Sequence, residues 1–262
     1  MEQRHKVPSD WDARIWIDGV GDAERRLEVT PAIAGWESLS FRSYTFRAGQ
    51  VIAGEPAADE MAMVLLSGAV TIEAAGPGWR ETWDCRGRES VFAGPPYAIY
   101  LPPGHTYRTT VHADADCAYG RAPAAGTRSP RLVRPDDLAG ETDRDGTRIT
   151  RVLGPGDTEH LACQEAVVAG GAWSAVPPHR HELQNPDAEA YLEEVSYYRM
   201  QPEAGWARQR LSTDDGTVDE SLTIRHGDAV IVRRGDHPLV ASPGTRVYML
   251  SFLAGPVPEY PA

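Results

Sequence analysis

Two histidines and a glutamate in the second half of the chain have the types and the spacing of metal ligands. His179 and His181 stand two positions apart in "PPHRHE", and Glu194 follows a polar insert in "DAEAYLEEVSYYR". Residues two apart on a β-strand project to the same face, so both imidazoles would enter one pocket. His237, after a glycine turn that follows the apolar run "AVIV", could supply a third imidazole. Such a set suits zinc, manganese, iron, nickel or copper and leaves positions open for water or substrate.

The alternative is an incidental cluster of polar residues on a surface hairpin, because an isolated His-x-His pair is usually exposed or satisfied within a core. The order of the four residues in a β-rich chain favours the metal site. The other histidines lack such partners and are expected to be structural or at the surface; they are His5, His105, His112, His160 and His226.

The elements that must position these residues are predicted to be short β-strands. Glycine and proline interrupt the chain at short intervals, and between them lie runs rich in Val, Ile, Tyr and Thr, such as "AMVLLSGAVTIEAA" and "RVYMLSFLAG". This pattern is typical of an all-β sandwich or barrel. Short helices are expected only near "GDAERRLEV" and in the "DAEAYLE" part of the insert.

A faint internal repeat divides the chain. The segments "YAIYLPPGHTYRTTV" and "DAVIVRRGDHPLVAS" share an apolar strand, a glycine turn, a histidine and a second strand, half a chain length apart. The stretch between them, residues 122–148, is rich in proline, glycine and charge, as a connector between two β domains would be. We therefore expect one domain over residues 1–145 and a second over residues 146–262.

Composition excludes several classes of function. The 262 residues include 26 basic and 38 acidic side chains, and this net charge of −12 argues against a nucleic-acid partner. Lys6 is the only lysine, which nearly excludes Schiff-base chemistry. The chain has no apolar run of roughly 20 residues and no apolar N-terminal signal, so we expect no membrane partner and a cytoplasmic location. Three widely spaced cysteines favour reduced, buried thiols.

The order of the ligand residues resembles the cupin superfamily, in which a first motif supplies two histidines and a glutamate and a second motif supplies the last histidine. The long insert after His181 and the "RRGDH" of the second motif depart from the general cupin pattern. With these departures, the chain resembles a narrower family, the 5-deoxy-glucuronate isomerases of bacterial myo-inositol catabolism, whose members carry the same insert. The blocks that carry the resemblance are "WSAVPPHRHE", "EEVSYYR", "TDDGTVDE" and "YMLSFLAGP", with "WESLSF" and "SVFAGPPYAIYLPPG" in the first half.

The resemblance implies a bicupin, two double-stranded β-helix (jelly-roll) barrels in one chain, with metal only in the C-terminal barrel. The sequence agrees, because "GEPAADEMAMVLLSG" offers no histidine where an N-terminal metal motif would fall. The implied reaction is the metal-dependent isomerisation of the aldose 5-deoxy-D-glucuronate to the ketose 5-dehydro-2-deoxy-D-gluconate. The implied cofactor is a divalent ion, with zinc favoured and manganese, iron or nickel as alternatives.

The same resemblance suggests further site residues. Glu182 and Glu193 are candidate bases, although strand alternation would turn each of them away from the pocket. Arg210 is the first candidate for the substrate carboxylate, and Tyr198 and Gln209 are candidates for its hydroxyls. Two other arginines compete with Arg210 for this role, namely Arg199 and Arg208.

Two departures from the family leave the substrate open. Ser196 stands where relatives usually have tyrosine, and by alternation it shares the face of Glu194 and could line the pocket. Asp236, beside His237, also replaces a tyrosine and could alter the surroundings of that ligand. The alternatives are an isomerase or epimerase of a related sugar acid, an oxygenase, or a non-catalytic sugar-acid sensor. Exposed sheet edges make a homodimer or larger homo-oligomer reasonable.

Overall fold

The computed structural model of the chain describes residues 24–142, 146–154, 156–174, 179–181 and 191–255. The strands of the first half are β1 (Glu24–Val29), β2 (Ser40–Phe46), β3 (Val51–Gly54), β4 (Asp59–Gly76), β5 (Trp79–Arg86), β6 (Tyr97–Leu101), β7 (Thr106–Pro123) and β8 (Arg131–Val133). The strands of the second half are β9 (Gly140–Thr142), β10 (Arg148–Leu153), β11 (Leu161–Val168), β12 (Trp173–Ser174), β13 (Glu193–Gln201), β14 (Ala207–Ser212), β15 (Asp219–Ile224), β16 (Ala229–Val232), β17 (Leu239–Ala241) and β18 (Arg246–Ala254). Helical elements are limited to α1 (Pro31–Ala34) and a 3₁₀ turn (Pro135–Asp137) in these ranges.

The prediction of a short helix near "GDAERRLEV" is wrong. Glu24–Val29 is strand β1, which pairs antiparallel with β2. Leu27 and Val29 lie two positions apart and are both fully buried, so the period of a strand overrides the weak helical pattern. The second expected helix, in "DAEAYLE", lies largely outside the described residues. Within the part of the chain that the structure describes, no helix is long and apolar enough to cross a membrane.

The strands form three sheets, and all of their pairings are antiparallel. The first half forms one sheet ordered β1-β2-β7-β4-β6-β8, with β3 paired to β7 and β5 paired to β4. The second half forms a sheet ordered β16-β13-β18-β11-β10-β9 and a smaller one ordered β12-β17-β14-β15. The predicted all-β class is confirmed. The chain passes from the first sheet to the second between β8 and β9, slightly before residue 145, and the domain boundary at that residue stays a prediction.

Strand alternation gives each half a hydrophobic core of its own, and the two halves share a further core between them. Along β4, Met61 and Met63 point into a core inside the first half, whereas Val64 joins a core that contains residues of both halves. In the shared core, the ring of Phe41 lies 5.7 Å from the ring of Phe252 in the second half. The two halves therefore pack through the outer faces of their sheets and keep their interiors separate.

Two buried glutamates join the halves in a reciprocal way. Glu60, on β4, accepts hydrogen bonds of 2.7 to 2.8 Å from the backbone N–H groups of residues 159–161. Glu193, on β13, accepts hydrogen bonds from the N–H groups of residues 37–39, the shortest at 2.6 Å from Leu39. We call these the reciprocal glutamate contacts. Each carboxylate satisfies otherwise unpaired donors of the opposite half, which compensates for the cost of burying its charge.

We predict that Glu193→Gln weakens the packing of the two halves. Glutamine keeps the size of the side chain but loses the charge and turns amide hydrogens towards backbone donors, so we expect a loss of about 3 kcal/mol in the free energy of unfolding. Urea denaturation measures this loss. Glu60→Gln is the matched control and should cost about as much, because it breaks the mirror contact. A Glu193→Gln protein with wild-type stability but no catalytic activity would contradict this account and support Glu193 as a base.

Candidate metal centre

Three of the predicted ligands converge in the structure. One ligand atom each of His181, Glu194 and His237 lies within 4.8 Å of the others, and all three residues are buried. The Nε2 atom of His181 lies 2.8 Å from Oε2 of Glu194, and Nε2 of His237 lies 3.4 Å from the same oxygen. The C-terminal half thus places two imidazoles and a carboxylate around one point, and their role as metal ligands stays a prediction.

The ends of the insert explain how His181 reaches Glu194 despite the long separation in sequence. The N–H of Leu192 donates to the carbonyl of His181 at 3.1 Å, and Nδ1 of His181 lies 2.8 Å from the carbonyl oxygen of Leu192. The chain therefore leaves and re-enters the site at the same place. Glu194 follows two residues later on β13, and alternation directs its side chain to the face opposite that of Glu193.

A tight turn positions His237 after β16. Gly235 has φ of +90°, and a Cβ at this position would lie only 2.6 Å from the carbonyl oxygen of Ser212. Ser212 and Asp236 exchange two backbone hydrogen bonds, of 3.0 and 2.8 Å, which fix the turn against β14. Glycine is required here by both conformation and space. Asp236 therefore holds the turn through its backbone, immediately before the histidine.

The orientation of both rings suits metal ligation. Nδ1 of His181 faces the carbonyl of Leu192, and Nδ1 of His237 faces the carbonyl of Gly235 at 3.1 Å. A carbonyl only accepts, so Nδ1 carries the proton and Nε2 is the nitrogen that points at Glu194. Metal-binding histidines commonly have this arrangement, in which one ring nitrogen donates to a backbone carbonyl and the other faces the ion. The residues present therefore fit a divalent cation.

Electrostatics at the cluster also favour a bound positive charge. Burial alone would raise the pKa of Glu194, but His237 and His181 outweigh this effect and hold the pKa well below its usual value. Burial alone would lower the pKa of His237, but Glu194 outweighs it and raises the pKa overall. The buried carboxylate is thus ionised, and either a proton on an imidazole or a metal ion must balance its charge.

His179 borders the cluster without joining the three convergent atoms. Its ring centroid lies 4.8 Å from that of His237 and 6.5 Å from that of His181, and the residue is half-buried. Burial, with repulsion from His237, lowers the pKa of His179 to about 4. The ring is therefore neutral at neutral pH, the form that binds metals. Its role as a fourth ligand stays a prediction.

Two serines hold the other oxygen of Glu194. The hydroxyl of Ser196 donates to Oε1 at 2.7 Å, that of Ser251 lies 2.9 Å from the same atom, and the two hydroxyls are 2.9 Å apart. Both serines are fully buried and face each other across the β13-β18 pair. These bonds turn Oε2 towards the imidazoles. The sequence indicates the place of Ser196 but not that of Ser251, because only the strand pairing brings Ser251 to this position.

Tyr198 and Gln209 lie behind His237. The Tyr198 hydroxyl donates to Oε1 of Gln209 at 2.8 Å, and Nε2 of Gln209 donates to the carbonyl of His237 at 3.1 Å. Burial raises the pKa of Tyr198 well above its usual value, so the phenol stays protonated. In this arrangement both side chains support the backbone of a candidate ligand.

The candidate arginines point elsewhere. Alternation along β14 buries Gln209 and leaves Arg210 exposed, where its Nε lies 2.9 Å from Oδ1 of Asp219. Arg208 shares that outward face. Arg199 lies in the groove between the halves and pairs with Asp116 at 3.2 Å. The structure does not bring these arginines together with the imidazoles.

The two candidate bases have different outcomes. Glu182 lies outside the described residues. Both carboxylate oxygens of Glu193 accept hydrogen bonds from backbone N–H groups of residues 37–39, on the side of β13 away from the cluster. The remaining described histidines have partners of their own: His105 with Pro103, His112 with Thr71, His160 with Gly255 and His226 with Arg199.

Comparison with solved structures confirms the fold. An IolB-like protein from Salmonella typhimurium LT2 superposes with a TM-score of 0.86 at 28% identity, covering 95% of this chain and 94% of that one. The oxalate decarboxylase of Lactobacillus farciminis superposes with a TM-score of 0.68 at 9% identity, covering 95% and 85%, respectively. The second likeness concerns the fold alone. The predicted bicupin architecture, two jelly-roll barrels in one chain, is confirmed.

Sequence comparison gives the family. The 5-deoxy-glucuronate isomerase of Geobacillus thermodenitrificans is 36% identical over 239 residues, which are 88% of this chain and 85% of that protein. The 5-deoxy-glucuronate isomerase of Bacillus subtilis strain 168 is 28% identical over 241 residues, 89% of this chain and 87% of that protein. A family model described as KduI/IolB matches residues 18–261. Because that match spans nearly the whole chain, the protein belongs to the KduI/IolB family.

Proposed function

We propose that this protein is a 5-deoxy-glucuronate isomerase, which converts the aldose 5-deoxy-D-glucuronate to the ketose 5-dehydro-2-deoxy-D-gluconate. The observation that carries the proposal is the buried cluster of His181, Glu194 and His237 in a chain that is 36% identical to a relative of that name. Isomerisation of this kind requires removal of a proton beside a carbonyl. A site that can hold a cation next to the substrate oxygens suits that step.

The proposed cofactor is a divalent ion held by His181, Glu194 and His237, with His179 as the candidate fourth ligand. When bound, it would act as a Lewis acid on the carbonyl and hydroxyl oxygens of the sugar acid. Nitrogen and oxygen donors suit zinc, which we favour, and also manganese, iron and nickel. Manganese(II) centres are described for the oxalate decarboxylase of Bacillus subtilis, which shares the fold at 12% identity.

Neighbouring residues of the chain would orient the atoms that bind the metal. Ser196 and Ser251 fix one oxygen of Glu194, so its second oxygen is presented in one direction. Gln209 and Tyr198 hold the backbone at His237. Such fixed donors need no reorganisation when charge develops on the substrate oxygens. Proton transfer is assigned to Glu182 as the remaining candidate base, since Glu193 is engaged in the reciprocal glutamate contacts.

The candidate for binding the substrate carboxylate is Arg210 on β14. Arg210 points to the outer face of β14, so to reach a sugar acid bound at the cluster it would have to leave Asp219 and turn its side chain to the other face of the strand. The ion pair itself is a small obstacle, because a fully exposed pair adds little to stability. Arg210 is thus retained as a candidate for this role.

We predict that activity depends on the metal. Incubation of the native protein with a strong chelator, followed by dialysis, should abolish conversion of 5-deoxy-D-glucuronate, and addition of zinc or manganese should restore it. Proton NMR follows the loss of the aldose and the appearance of the ketose. D-glucuronate, tested in parallel, shows which of the two sugar acids the protein prefers. Full turnover by demetallated protein would contradict the metal role, and no turnover by metal-replete protein at high concentration would contradict the isomerase.

We predict that Ser251→Ala weakens metal binding. The substitution removes one of the two hydroxyls that hold Oε1 of Glu194 and loosens the carboxylate, so we expect metal affinity to fall by about 10-fold, and by up to about 100-fold when Ser196→Ala removes the other. Competition with a chromophoric chelator measures the affinity. The matched control is Ser242→Ala, which removes a buried hydroxyl bonded to Thr245 in the same half. Equal metal affinity in all of these variants would show that the serine pair does not orient Glu194.

A further inference from the structure

The N-terminal barrel has a cavity of its own. This cavity has a volume of about 400 Å³, large enough for a small metabolite. Side chains from β2, β4 and β7 line it, together with residues of β3. The residues that matter for its chemistry are Arg42, Tyr44, Asp59, Tyr107, Tyr119 and Arg121.

Strand register shows that this cavity corresponds to the metal centre of the other barrel. Glu60 and Glu193 make the reciprocal glutamate contacts, so the next residues, Met61 and Glu194, occupy corresponding positions. In the C-terminal barrel Ser196 pairs with Ser251, and in the N-terminal barrel the corresponding pair is Met63 with Tyr119. Met61 therefore stands where the carboxylate ligand would be.

The same register places a cation in the N-terminal cavity. Glu194 pairs with Leu253, whereas Met61 pairs with Arg121. Arg121 thus replaces a leucine at the position where Met61 replaces the glutamate. The position of the candidate metal site in the C-terminal barrel corresponds, in the N-terminal barrel, to a pocket with an arginine and an apolar wall. The N-terminal cavity is suited to a ligand of different chemistry.

Aromatic rings form that wall. Tyr44 stacks on Phe46 with ring centroids 5.6 Å apart and an interplanar angle of 10°, and Tyr119 meets Tyr44 edge-on at 5.7 Å. Tyr107 closes the side next to β3. The hydroxyl of Tyr119 is buried without a hydrogen-bond partner among the residues that the structure describes. An unsatisfied buried hydroxyl costs free energy, so a ligand that supplied a partner would gain affinity.

The lining offers both hydrogen-bond donors and acceptors. Arg42 uses its Nε to bind Glu28 at 2.5 Å, one of its five N–H groups. Arg121 donates to the carbonyl of Glu55. Burial raises the pKa of Asp59, and Arg121 partly offsets this effect. Two guanidinium groups beside carboxylates suit a ligand with several hydroxyls better than a simple anion.

We propose that the N-terminal barrel binds a small polyol or sugar in this cavity. The C–H face of such a ligand would pack on the ring of Tyr44, and its hydroxyls would reach Arg42, Arg121 and Asp59. The position of the carboxylate ligand is taken by Met61, so this is a binding site and not a second catalytic centre. The proposal does not rest on the reaction assigned to the C-terminal barrel.

Isothermal titration of the full-length protein tests the proposal with two probes, the neutral polyol myo-inositol and the sugar acid D-glucuronate. We expect saturable binding of at least one probe. Tyr44→Ala and Arg121→Leu should each weaken that binding by about tenfold or more, which corresponds to the loss of about 1.4 kcal/mol. Arg121→Leu places in the N-terminal barrel the residue that the C-terminal barrel has at this position, and thermal melting shows that each variant is folded.

Two controls separate this site from the metal centre. Arg108→Leu changes an exposed arginine on the same strand, and His237→Ala changes the other barrel, so neither should alter binding at the N-terminal cavity, which myo-inositol reports without competition from the metal centre. No saturable binding of either probe to the wild-type protein would overturn the proposal. Binding that survives Tyr44→Ala and Arg121→Leu but is lost in His237→Ala would also overturn it, because the probe would then occupy the C-terminal centre.

Discussion

Two adjacent glutamates at the start of β13 connect the packing of the barrels to the chemistry of the site. Alternation sends Glu193 to the N-terminal barrel, where its carboxylate binds the backbone of residues 37–39, and sends Glu194 to the cluster of imidazoles. A shift of β13 by one residue would exchange the two side chains and destroy both contacts. The inter-barrel contact therefore fixes the register of the strand that carries the candidate ligand.

The cost of buried charge accounts for much of the remaining detail. A carboxylate as buried as Glu194 is stable only when its lone pairs are engaged, and here two imidazoles and two serine hydroxyls meet that need. The same rule governs Glu165, which is buried between the halves and bonds to Arg88 and Tyr248. Each buried acid in these positions ties together elements that are far apart in sequence. Charge burial thus serves both the fold and the site.

The types and order of His181, Glu194 and His237 are enough to predict that these residues lie together, because strand pairing brings them close whatever the length of the insert between them. The sequence could not predict the direction of Arg210 or the arrival of Ser251. Whether an arginine on β14 faces inward depends on register, which is set by neighbours such as Pro238 and Leu239 that lie far along the chain. The role of Glu193 was also hidden, because its partners lie in the other half. Local sequence patterns predict which residues share a face of a strand and where the turns lie, whereas strand pairing decides which of these faces contact one another.

The central claim is that the cluster holds a divalent ion through one atom each of His181, Glu194 and His237. A crystal structure of the native protein, with anomalous diffraction measured on both sides of the zinc and manganese absorption edges, tests it most directly. The account predicts one anomalous peak in the C-terminal barrel, about 2.0–2.2 Å from both Nε2 atoms and from Oε2 of Glu194. Metal-replete protein with no peak at the cluster, or with its ion bound elsewhere, would contradict the account.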